Sequence, residues 1–141
     1  MIIPGRLRAL VVDDNTYARA ISAASLQKLG ITDIVEADSG GEAILALMTA
    51  PFDFMLMDWY MPEVSGAGLM RVLRDIRFGE PRKTPVILMT GYASRENIAK
   101  ARELGVNEVL VKPFTTAQLG IAVGRVLGEA QRAAGDDLTF L

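Results

Sequence analysis

Five polar side chains of this sequence stand where a short apolar run ends, and their types suit one kind of chemistry. They are Asp13, Asp14, Asp58, Thr90 and Lys112. If the three carboxylates cluster they repel, since two like charges about 4 Å apart cost on the order of 4 kcal/mol at an effective dielectric constant near 20. Lys112 and a divalent cation would supply the counter-charge. A carboxylate left free beside such a cation can attack phosphorus and form an aspartyl phosphate.

The side chains that are missing narrow the choice of metal and mechanism. The chain contains neither histidine nor cysteine, so the protein can offer no imidazole or thiolate ligand. An all-oxygen site suits Mg²⁺, and Mn²⁺ accepts the same ligands. The cation and Lys112 would neutralise charge on a transferring phosphoryl group. Ser-His and Cys-His catalysis are excluded, so any histidine chemistry must come from a partner.

Apolar runs predict the strands that position these side chains. The run Phe54–Asp58 lies between Pro51 and Pro62 and is typical of a strand that is buried on both faces of a parallel sheet. The other predicted strands are Leu7–Val12, Asp33–Asp38, Pro85–Thr90 and Glu108–Lys112. A helix N-cap is the alternative role for Asp58. The next predicted helix begins only after Ser65, so we favour a site at the end of the strand.

A helical pattern follows each predicted strand, with capping residues or glycine at its ends. The apolar stripes predict five buried helix faces, formed by Ala18, Ile21, Ser25 and Leu29; by Ile44, Leu47 and Met48; by Leu69, Val72, Leu73 and Ile76; by Ile98, Ala101 and Leu104; and by Leu119, Ala122, Val123, Val126 and Leu127. Five strand–helix units with short loops predict an α/β sandwich of three layers around a parallel sheet.

The strand order decides whether the polar strand ends meet. In the flavodoxin-like, doubly wound order 2-1-3-4-5, the first and third strands are neighbours. Asp13, Asp14 and Asp58 would then share the crevice at the carboxyl edge of the sheet, where Thr90 and Lys112 arrive from the other side. We therefore predict a (βα)5 fold of this order, with every polar strand end converging on one site.

Length and charge set the broad class. The 141 residues suit one domain, and we assign residues 1–128 to it and residues 129–141 to an extension of the last helix and a tail. With 15 Lys and Arg against 17 Asp and Glu and no basic run, we expect no nucleic-acid partner. No apolar run is long enough to span a membrane, and the first residues do not form a signal peptide. We expect a soluble, cytoplasmic protein without a membrane partner.

The motifs at the strand ends resemble the receiver domain of two-component response regulators, of the CheY-like, single-domain kind. The resemblance rests on Asp13-Asp14, Asp58, Thr90 and Lys112-Pro113-Phe114, in this order on the first, third, fourth and fifth strand ends. It spans residues 7 to about 128. It implies that Asp58 accepts the phosphoryl group, that Thr90 swings to hydrogen-bond it and that Lys112 pairs with it. Lys112 and Pro113 would be joined by a cis peptide bond.

The resemblance also implies a metal and partners. Mg²⁺ would be bound directly by Asp14 and Asp58, through water by Asp13, and by the backbone carbonyl of Tyr60. The phosphoryl donor would be a phosphohistidine on a sensor histidine kinase or a histidine phosphotransfer protein. Such a receiver catalyses its own phosphorylation and dephosphorylation without being a conventional enzyme. Output would pass to a separate, unidentified protein, since 141 residues leave no room for an output domain.

Some positions depart from the common receiver pattern. Val109 stands three residues before Lys112, where many receivers carry an aromatic residue that turns inward on activation. Three glycines, Gly120, Gly124 and Gly128, recur at four-residue spacing in the last helix. They are either tolerated glycines or a flat stripe for a partner. We expect the signal to reach the face of the fourth helix, fifth strand and fifth helix, through which phosphorylated chains would dimerise.

Two tyrosines are expected to control the lifetime of an aspartyl phosphate. In receivers, the residues two positions after the phosphoacceptor and two after the threonine border the path of the attacking water, and here they are Tyr60 and Tyr92. Thr90-Gly91-Tyr92 is similar to a subset of single-domain receivers, although the phenylalanines of that subset are missing. Two bulky rings predict slow autodephosphorylation. Alternatively, the rings lie flat on the surface or pack against the tail.

Three other classes of protein are considered. A haloacid-dehalogenase-type phosphatase would have a second acid two residues after its nucleophile, where this chain has Tyr60. A flavin module would place phosphate where Asp13-Asp14-Asn15 is acidic. The remaining alternative is a receiver-like scaffold that binds partners without phosphorylation. The complete set of acidic, hydroxyl and ammonium residues favours the phosphorylated switch, because clustered acids cost stability.

Overall fold

A computed structural model describes residues 2–61 and 65–133, with side chains described up to residue 130. Pro62 and the tail that follows Ala133 lie outside the described residues. The strands are Arg8–Val12 (β1), Asp33–Ala37 (β2), Phe54–Asp58 (β3), Val86–Thr90 (β4) and Glu108–Val111 (β5). The α-helices are Thr16–Lys28 (α1), Gly40–Thr49 (α2), Gly66–Arg74 (α3), Arg95–Glu103 (α4) and Thr116–Ala133 (α5). Short 3-10 helices lie at Pro4–Arg6, Ile76–Phe78 and Glu80–Lys83.

The five strands form one parallel sheet in the order β2-β1-β3-β4-β5, which confirms the predicted fold. The register aligns the strand ends: Val12 lies opposite Met57, and Thr90 lies opposite Val111. Asp58 of β3 lies opposite Met89 of β4. Because all strands run in the same direction, the residues that follow β1, β3, β4 and β5 share one edge of the sheet.

Alternate side chains of the strands pack into two cores, one on each face of the sheet. Val11, Leu56 and Met89 lie in the core beneath α1 and α5. Leu10 and Met57 point the other way, into the core shared with α2, α3 and α4. Most of these strand residues have no solvent exposure, so the sheet is a rigid support for the residues at its carboxyl edge.

Four predicted strands were one residue too long. Leu7, Asp38, Pro85 and Lys112 lie just outside the observed strands. Lys112 nevertheless continues the β5 ladder, because its N–H donates to the carbonyl of Thr90 at 2.8 Å. The strand Phe54–Asp58 has the predicted bounds.

The buried helix faces were predicted less well than the strands. All five predicted residues of α5 are buried. In contrast, Ile21, Met48 and Val72 are exposed, and Ile76 lies beyond α3 with 78% of its surface accessible. The buried residues are Ser22, Ala23 and Leu26 on α1 and Gly40, Ala43 and the predicted Leu47 on α2, so small residues supply much of both stripes.

The glycines of α5 do not form one exposed stripe. A Cβ atom added to Gly120 would lie 3.1 Å from Cδ2 of Leu29, so this glycine admits the end of α1. Gly128 is buried, whereas Gly124 is half-buried with open space where its Cβ would be. The partner stripe is therefore wrong for Gly120 and Gly128, because the chain itself covers them.

No helix within residues 2–61 and 65–133 is both long and apolar enough to cross a membrane. The last helix continues past residue 128, as far as Ala133. The division between a domain ending at residue 128 and a tail remains a prediction.

Candidate functional site

Asp13 is built into the end of β1. Its backbone N–H donates to the carbonyl of Ala37 at 3.1 Å, so the ladder with β2 extends one residue past the strand. The side chain is only 1% exposed, and its Oδ1 accepts the N–H of Asn15 at 2.9 Å. Asn15 in turn caps α1 by accepting the N–H of Ala18 at 2.9 Å. The carboxylate is therefore fixed between the end of a strand and the start of a helix.

A side chain that the sequence analysis missed supports this turn. Arg19 donates from Nη1 to the carbonyl of Asp13 at 2.8 Å and from Nε to Oε1 of Glu36 at 3.1 Å. Its guanidinium thus ties α1 to β1 and β2 directly behind the acidic residues. The sequence carries no pattern that pairs Arg19 with these groups, since the contact depends on the β1–β2 register.

Asp13, Asp14 and Asp58 meet as predicted. Each offers a carboxylate oxygen, and these oxygens all lie within 4.8 Å of one another. Asp14 is exposed, whereas the side chain of Asp58 is 14% accessible. Nζ of Lys112 lies 3.4 Å from Oδ1 of Asp58 and 3.5 Å from Oδ2 of Asp13. One ammonium group thus faces two carboxylates at long hydrogen-bonding distance, and a third lies beside them.

The electrostatics of Asp58 reflect this crowding. Burial raises the pKa of its carboxyl group above the usual range; Lys112 lowers it, while the charges of Asp13 and Asp14 raise it further. The net shift is upward, so the ammonium of Lys112 does not fully compensate the ionised cluster. A further positive charge at this position would favour the ionised form of Asp58.

Thr90 ends β4 at the same edge, but its hydroxyl is engaged with the next turn. Oγ1 accepts the N–H of Tyr92 and donates to the carbonyl of Tyr92, both at 3.1 Å. Thr90 is buried, whereas the ring of Tyr92 is 67% exposed. Any movement of the hydroxyl towards Asp58 must therefore release the backbone of Tyr92.

Tyr60 and Tyr92 lie on one side of the site and border a narrow slot with Trp59, Thr90 and Val109. Tyr60 is 61% exposed. Both rings are therefore largely accessible, with space between them and the start of α4. The two tyrosines thus border one slot and are largely exposed, and among the described residues they do not form a tightly packed cover over the acids.

The other side of the site is bounded by the segment after β5. The bond between Lys112 and Pro113 is cis, as predicted. Phe114 packs against the core beneath α5, and together with Pro113 it faces α1 across an apolar groove. Ile21 and Ser22 line the far wall, and Lys112 stands at the end of the groove. The acidic site is thus open between an aromatic slot and this groove.

The donor set and its spacing suit Mg²⁺. Ligand oxygens lie about 2.1 Å from this ion, so two of them can be at most about 4.2 Å apart. The carboxylate oxygens of Asp13, Asp14 and Asp58 already lie within 4.8 Å of one another, so small side-chain rotations, or a water between Asp13 and the ion, would complete a site. The excess negative charge around Asp58 favours such an ion.

Comparison with known proteins agrees with this geometry. A family model described as the response regulator receiver domain matches residues 9–123. The chain belongs to this family. It is 40% identical to the chemotaxis protein CheY of Pseudomonas aeruginosa over 114 residues, which are 80% of this chain and 90% of the relative.

Solved receiver structures have the same fold. The chemotaxis protein CheY4 of Vibrio cholerae superposes with a TM-score of 0.77 at 28% identity, covering 85% of this chain and 98% of that one. The receiver domain of a sensor histidine kinase from Pseudomonas aeruginosa superposes with a TM-score of 0.77 at 27% identity, covering 86% and 98%. That structure has a magnesium ion coordinated in its active-site cleft. Receiver domains bind Mg²⁺ at an acidic cluster of the kind that this chain possesses.

Proposed function

We propose that this receiver is a phosphorylation-activated switch in which Asp58 accepts a phosphoryl group from a phosphohistidine. The donor is a sensor histidine kinase or a histidine phosphotransfer protein. The observation that carries the proposal is the meeting of Asp13, Asp14 and Asp58 within 4.8 Å beside the ammonium of Lys112. A purely structural site would not be expected to gather three acids around one cation, because their repulsion costs stability.

The transfer exchanges one bond for another. A carboxylate oxygen of Asp58 attacks phosphorus as the bond between phosphorus and the donor imidazole nitrogen breaks, and the imidazole nitrogen keeps the bonding electrons. Lys112, 3.4 Å from Asp58, is placed to pair with an oxygen of the incoming group. Mg²⁺, held by Asp13, Asp14, Asp58 and the backbone carbonyl of Tyr60, would neutralise negative charge on the transferring group. The same residues could bind Mn²⁺ in place of Mg²⁺.

Thr90 converts the new charge into a change of shape. Its hydroxyl now forms two hydrogen bonds of 3.1 Å with the backbone of Tyr92. On phosphorylation it gives these up and donates a hydrogen bond to a phosphoryl oxygen. This releases the turn that leads into α4. Val109 borders the same slot, so the space that an aromatic residue occupies in many receivers is open to movement of Tyr92 or α4. The switch is a population shift between two packings of this turn.

The groove beside Lys112 is a suitable docking surface for the donor. It is formed by Ile21 and Ser22 of α1 and by Pro113 and Phe114, and it leads directly to Lys112. Ile21 is 49% exposed, which is costly for an apolar side chain unless a partner covers it. A helix lying on this groove would carry its phosphohistidine next to Asp58.

Output passes through the face of α4, β5 and α5. The face is amphipathic: Val111 and Ile121 are exposed, while Glu108 lies 3.9 Å from both Arg102 and Arg125. Movement of the turn after β4 would alter this face, to which a separate output protein or a second phosphorylated copy binds. Gly124→Leu adds bulk there in open space. It should weaken that association and leave phosphorylation intact; unchanged association would argue against this face.

The experiment that tests the proposal is incubation with acetyl phosphate and Mg²⁺, followed by intact-mass measurement. The parental chain should gain the mass of one phosphoryl group, and Asp58→Asn should not. Asp53→Asn is a matched control, because Asp53 precedes the same strand and its Oδ2 accepts the N–H of Arg8 at the opposite edge. If neither acetyl phosphate nor a phosphohistidine donor phosphorylates the parental chain, the phosphorylation-independent scaffold is correct.

A further inference from the structure

An apolar groove opens at the amino edge of the sheet, at the far end of the molecule from the acidic site. It has a volume of about 460 Å³ and runs between the end of α2 and the 3-10 helix before β4. Its lining includes Leu47, Met48, Phe52, Pro81 and Pro85, together with Lys83 and Glu80, whose charged groups lie 3.6 Å apart. None of these residues belongs to the phosphorylation site.

The helix beside the groove has more apolar surface than its packing uses. Residues 43–48 of α2 are all apolar, yet Leu45 is 66% exposed and Met48 is 68% exposed. A helix that is apolar on all sides is usually covered on all sides. The main contacts of α2 are with the sheet and with α3, and Met48 and the groove beside it lie on a side that these contacts leave exposed.

A cation stands beside the groove. The guanidinium carbon of Arg8 lies 5.0 Å from the centroid of the Phe52 ring, which lines the groove. Nε of Arg8 is buried and has no hydrogen-bond partner within the described part of the chain; Oδ1 of Asp33, at 3.7 Å, forms an ion pair with it but lies beyond hydrogen-bonding distance. A carboxylate that approached along the amino edge would meet this guanidinium before it reached the groove.

The last helix leads to the same edge. In a strand–helix unit the helix returns antiparallel to its strand, so α5 ends at the amino edge. Towards that end, Leu127 shares a core with Leu7, the residue before Arg8. Residues 134–141 continue the chain from this end of α5. Fully extended they reach about 26 Å, which exceeds the roughly 20 Å of the two layer spacings between α5 and α2, on opposite faces of the sheet.

The sequence of this segment matches that path. Asp136 and Asp137 come first, and Leu138, Phe140 and Leu141 follow. We propose that residues 136–141 bind the amino-edge groove of their own chain. An acidic residue of the pair binds the guanidinium of Arg8, and the apolar side chains cover Phe52 and Met48. The segment and the groove complement each other both in charge and in apolar character, and the proposal is independent of the phosphorylation chemistry.

A spin label in the full-length chain tests the proposal. The protein has no cysteine, so Thr139→Cys gives one nitroxide site and keeps Leu138, Phe140 and Leu141. The label should broaden the backbone amide signals of Leu47–Thr49, Phe52 and Lys83–Thr84. A label at Glu96→Cys, which is exposed at the opposite edge of the sheet, should leave them sharp. Unbroadened groove signals with the Thr139 label would overturn the proposal.

Surface variants identify the contacts in the same full-length chain. In the background Met48→Asp the broadening should fall by about half or more, because a buried charge disfavours the bound state. Ile76→Asp is the matched control, since Ile76 is 78% exposed and lies outside the groove. Replacing Asp136 and Asp137 by Asn should make the remaining broadening insensitive to salt, whereas the parental contact should weaken in salt. Equal loss in Met48→Asp and Ile76→Asp would contradict the assignment.

A mixed sample distinguishes binding of the segment to its own chain from binding to a second copy. Labelled chain without ¹⁵N is mixed with unlabelled ¹⁵N chain, and the groove signals of the latter are recorded. Sharp signals at all concentrations support binding within one chain. Broadening in the mixture would show that the segment reaches a neighbouring copy and would overturn the intramolecular proposal.

Discussion

The two edges of the sheet hold their charges in opposite ways. At the carboxyl edge, the ammonium of Lys112 contacts two carboxylates, at 3.4 and 3.5 Å, and a third carboxylate lies beside them. At the amino edge, the guanidinium of Arg74 has no such deficit. Its Nε and both Nη atoms donate to the carbonyls of Gly105, Arg82 and Thr84 and to Oδ1 of Asn107.

The hydrogen bonds of Arg74 stabilise the fold, whereas the acidic cluster at the other edge is left available to bind a cation and a phosphoryl group. Burial lowers the pKa of the Arg74 guanidinium, but all five of its donors are satisfied. It joins the end of α3 to the loops that precede β4 and β5. Within residues 2–61 and 65–133, the carboxyl edge instead gathers three carboxylates beside one ammonium group, which leaves an interaction for an incoming cation and a phosphoryl group. A receiver with this arrangement can change one edge while the other stays folded.

The largest expected effect comes from breaking the amino-edge cluster. Arg74→Ala should lower the free energy of unfolding by about 3 kcal/mol, because it removes five hydrogen bonds and leaves half-buried carbonyls unpaired. Urea denaturation of the metal-free protein measures this. Arg71→Ala, three residues earlier on the exposed face of α3, should change stability by less than about 0.5 kcal/mol. A similar, small loss in both variants would refute the special role of Arg74.

A second change perturbs the same cluster from the opposite side. Gly105 has φ +99°, and a Cβ atom there would lie 2.8 Å from Cγ and Nε of Arg74. Gly105→Ala should therefore cost about 2 kcal/mol, from backbone strain and displacement of the guanidinium. The double variant with Arg74→Ala should lose less than the sum, because part of the cost is shared. Gly91→Ala, with no atom within 4 Å of its Cβ position, is the control in thermal unfolding.

At the carboxyl edge, removing a charge should stabilise the metal-free protein. Asp58→Asn should gain on the order of 1 kcal/mol at neutral pH, because the cost of burying the charge and its repulsion by Asp13 and Asp14 disappear and together outweigh the lost attraction to Lys112. The folded-state pKa of Asp58 is raised, so its ionisation costs parental stability as the pH rises above about 4, the unfolded value. The gain of Asp58→Asn should thus vanish below pH 4. A gain that is constant with pH would contradict this origin.

The smallest effect concerns the exposed tyrosines. Tyr60→Asn and Tyr92→Ala should each speed the loss of the phosphoryl group, but only about threefold, since both rings are largely exposed. The double variant should deviate from the product of the two factors, because both rings border one slot. The decay of phosphorylated protein after removal of the donor, at constant Mg²⁺, gives the rates. Parental rates in both single variants would show that the rings do not restrict water.

The sequence predicted the features that depend on local patterns and on strand topology, and it missed those that depend on contacts between residues far apart in the chain. The strands, their order and the meeting of Asp13, Asp14 and Asp58 were predictable, because buried apolar runs and parallel topology place strand ends together. The exposure of Met48 was not, since it depends on how closely α2 approaches the sheet. The contacts of Arg74 were missed because four of its five hydrogen bonds go to backbone carbonyls, up to 31 residues away, which leave no pattern in the side-chain sequence.

The most direct test of the uncompensated carboxyl edge is the thermal unfolding of the parental chain and of Asp14→Asn, with Mg²⁺ and with chelator. Asp14 is the exposed member of the cluster, so its replacement removes a ligand without disturbing the core. We expect Mg²⁺ at about 100 times its dissociation constant to stabilise the parental chain by about 2.7 kcal/mol, and Asp14→Asn to lose most of this increment while being more stable than the parent in chelator. Equal stabilisation of both chains by Mg²⁺, or none in either, would contradict the account.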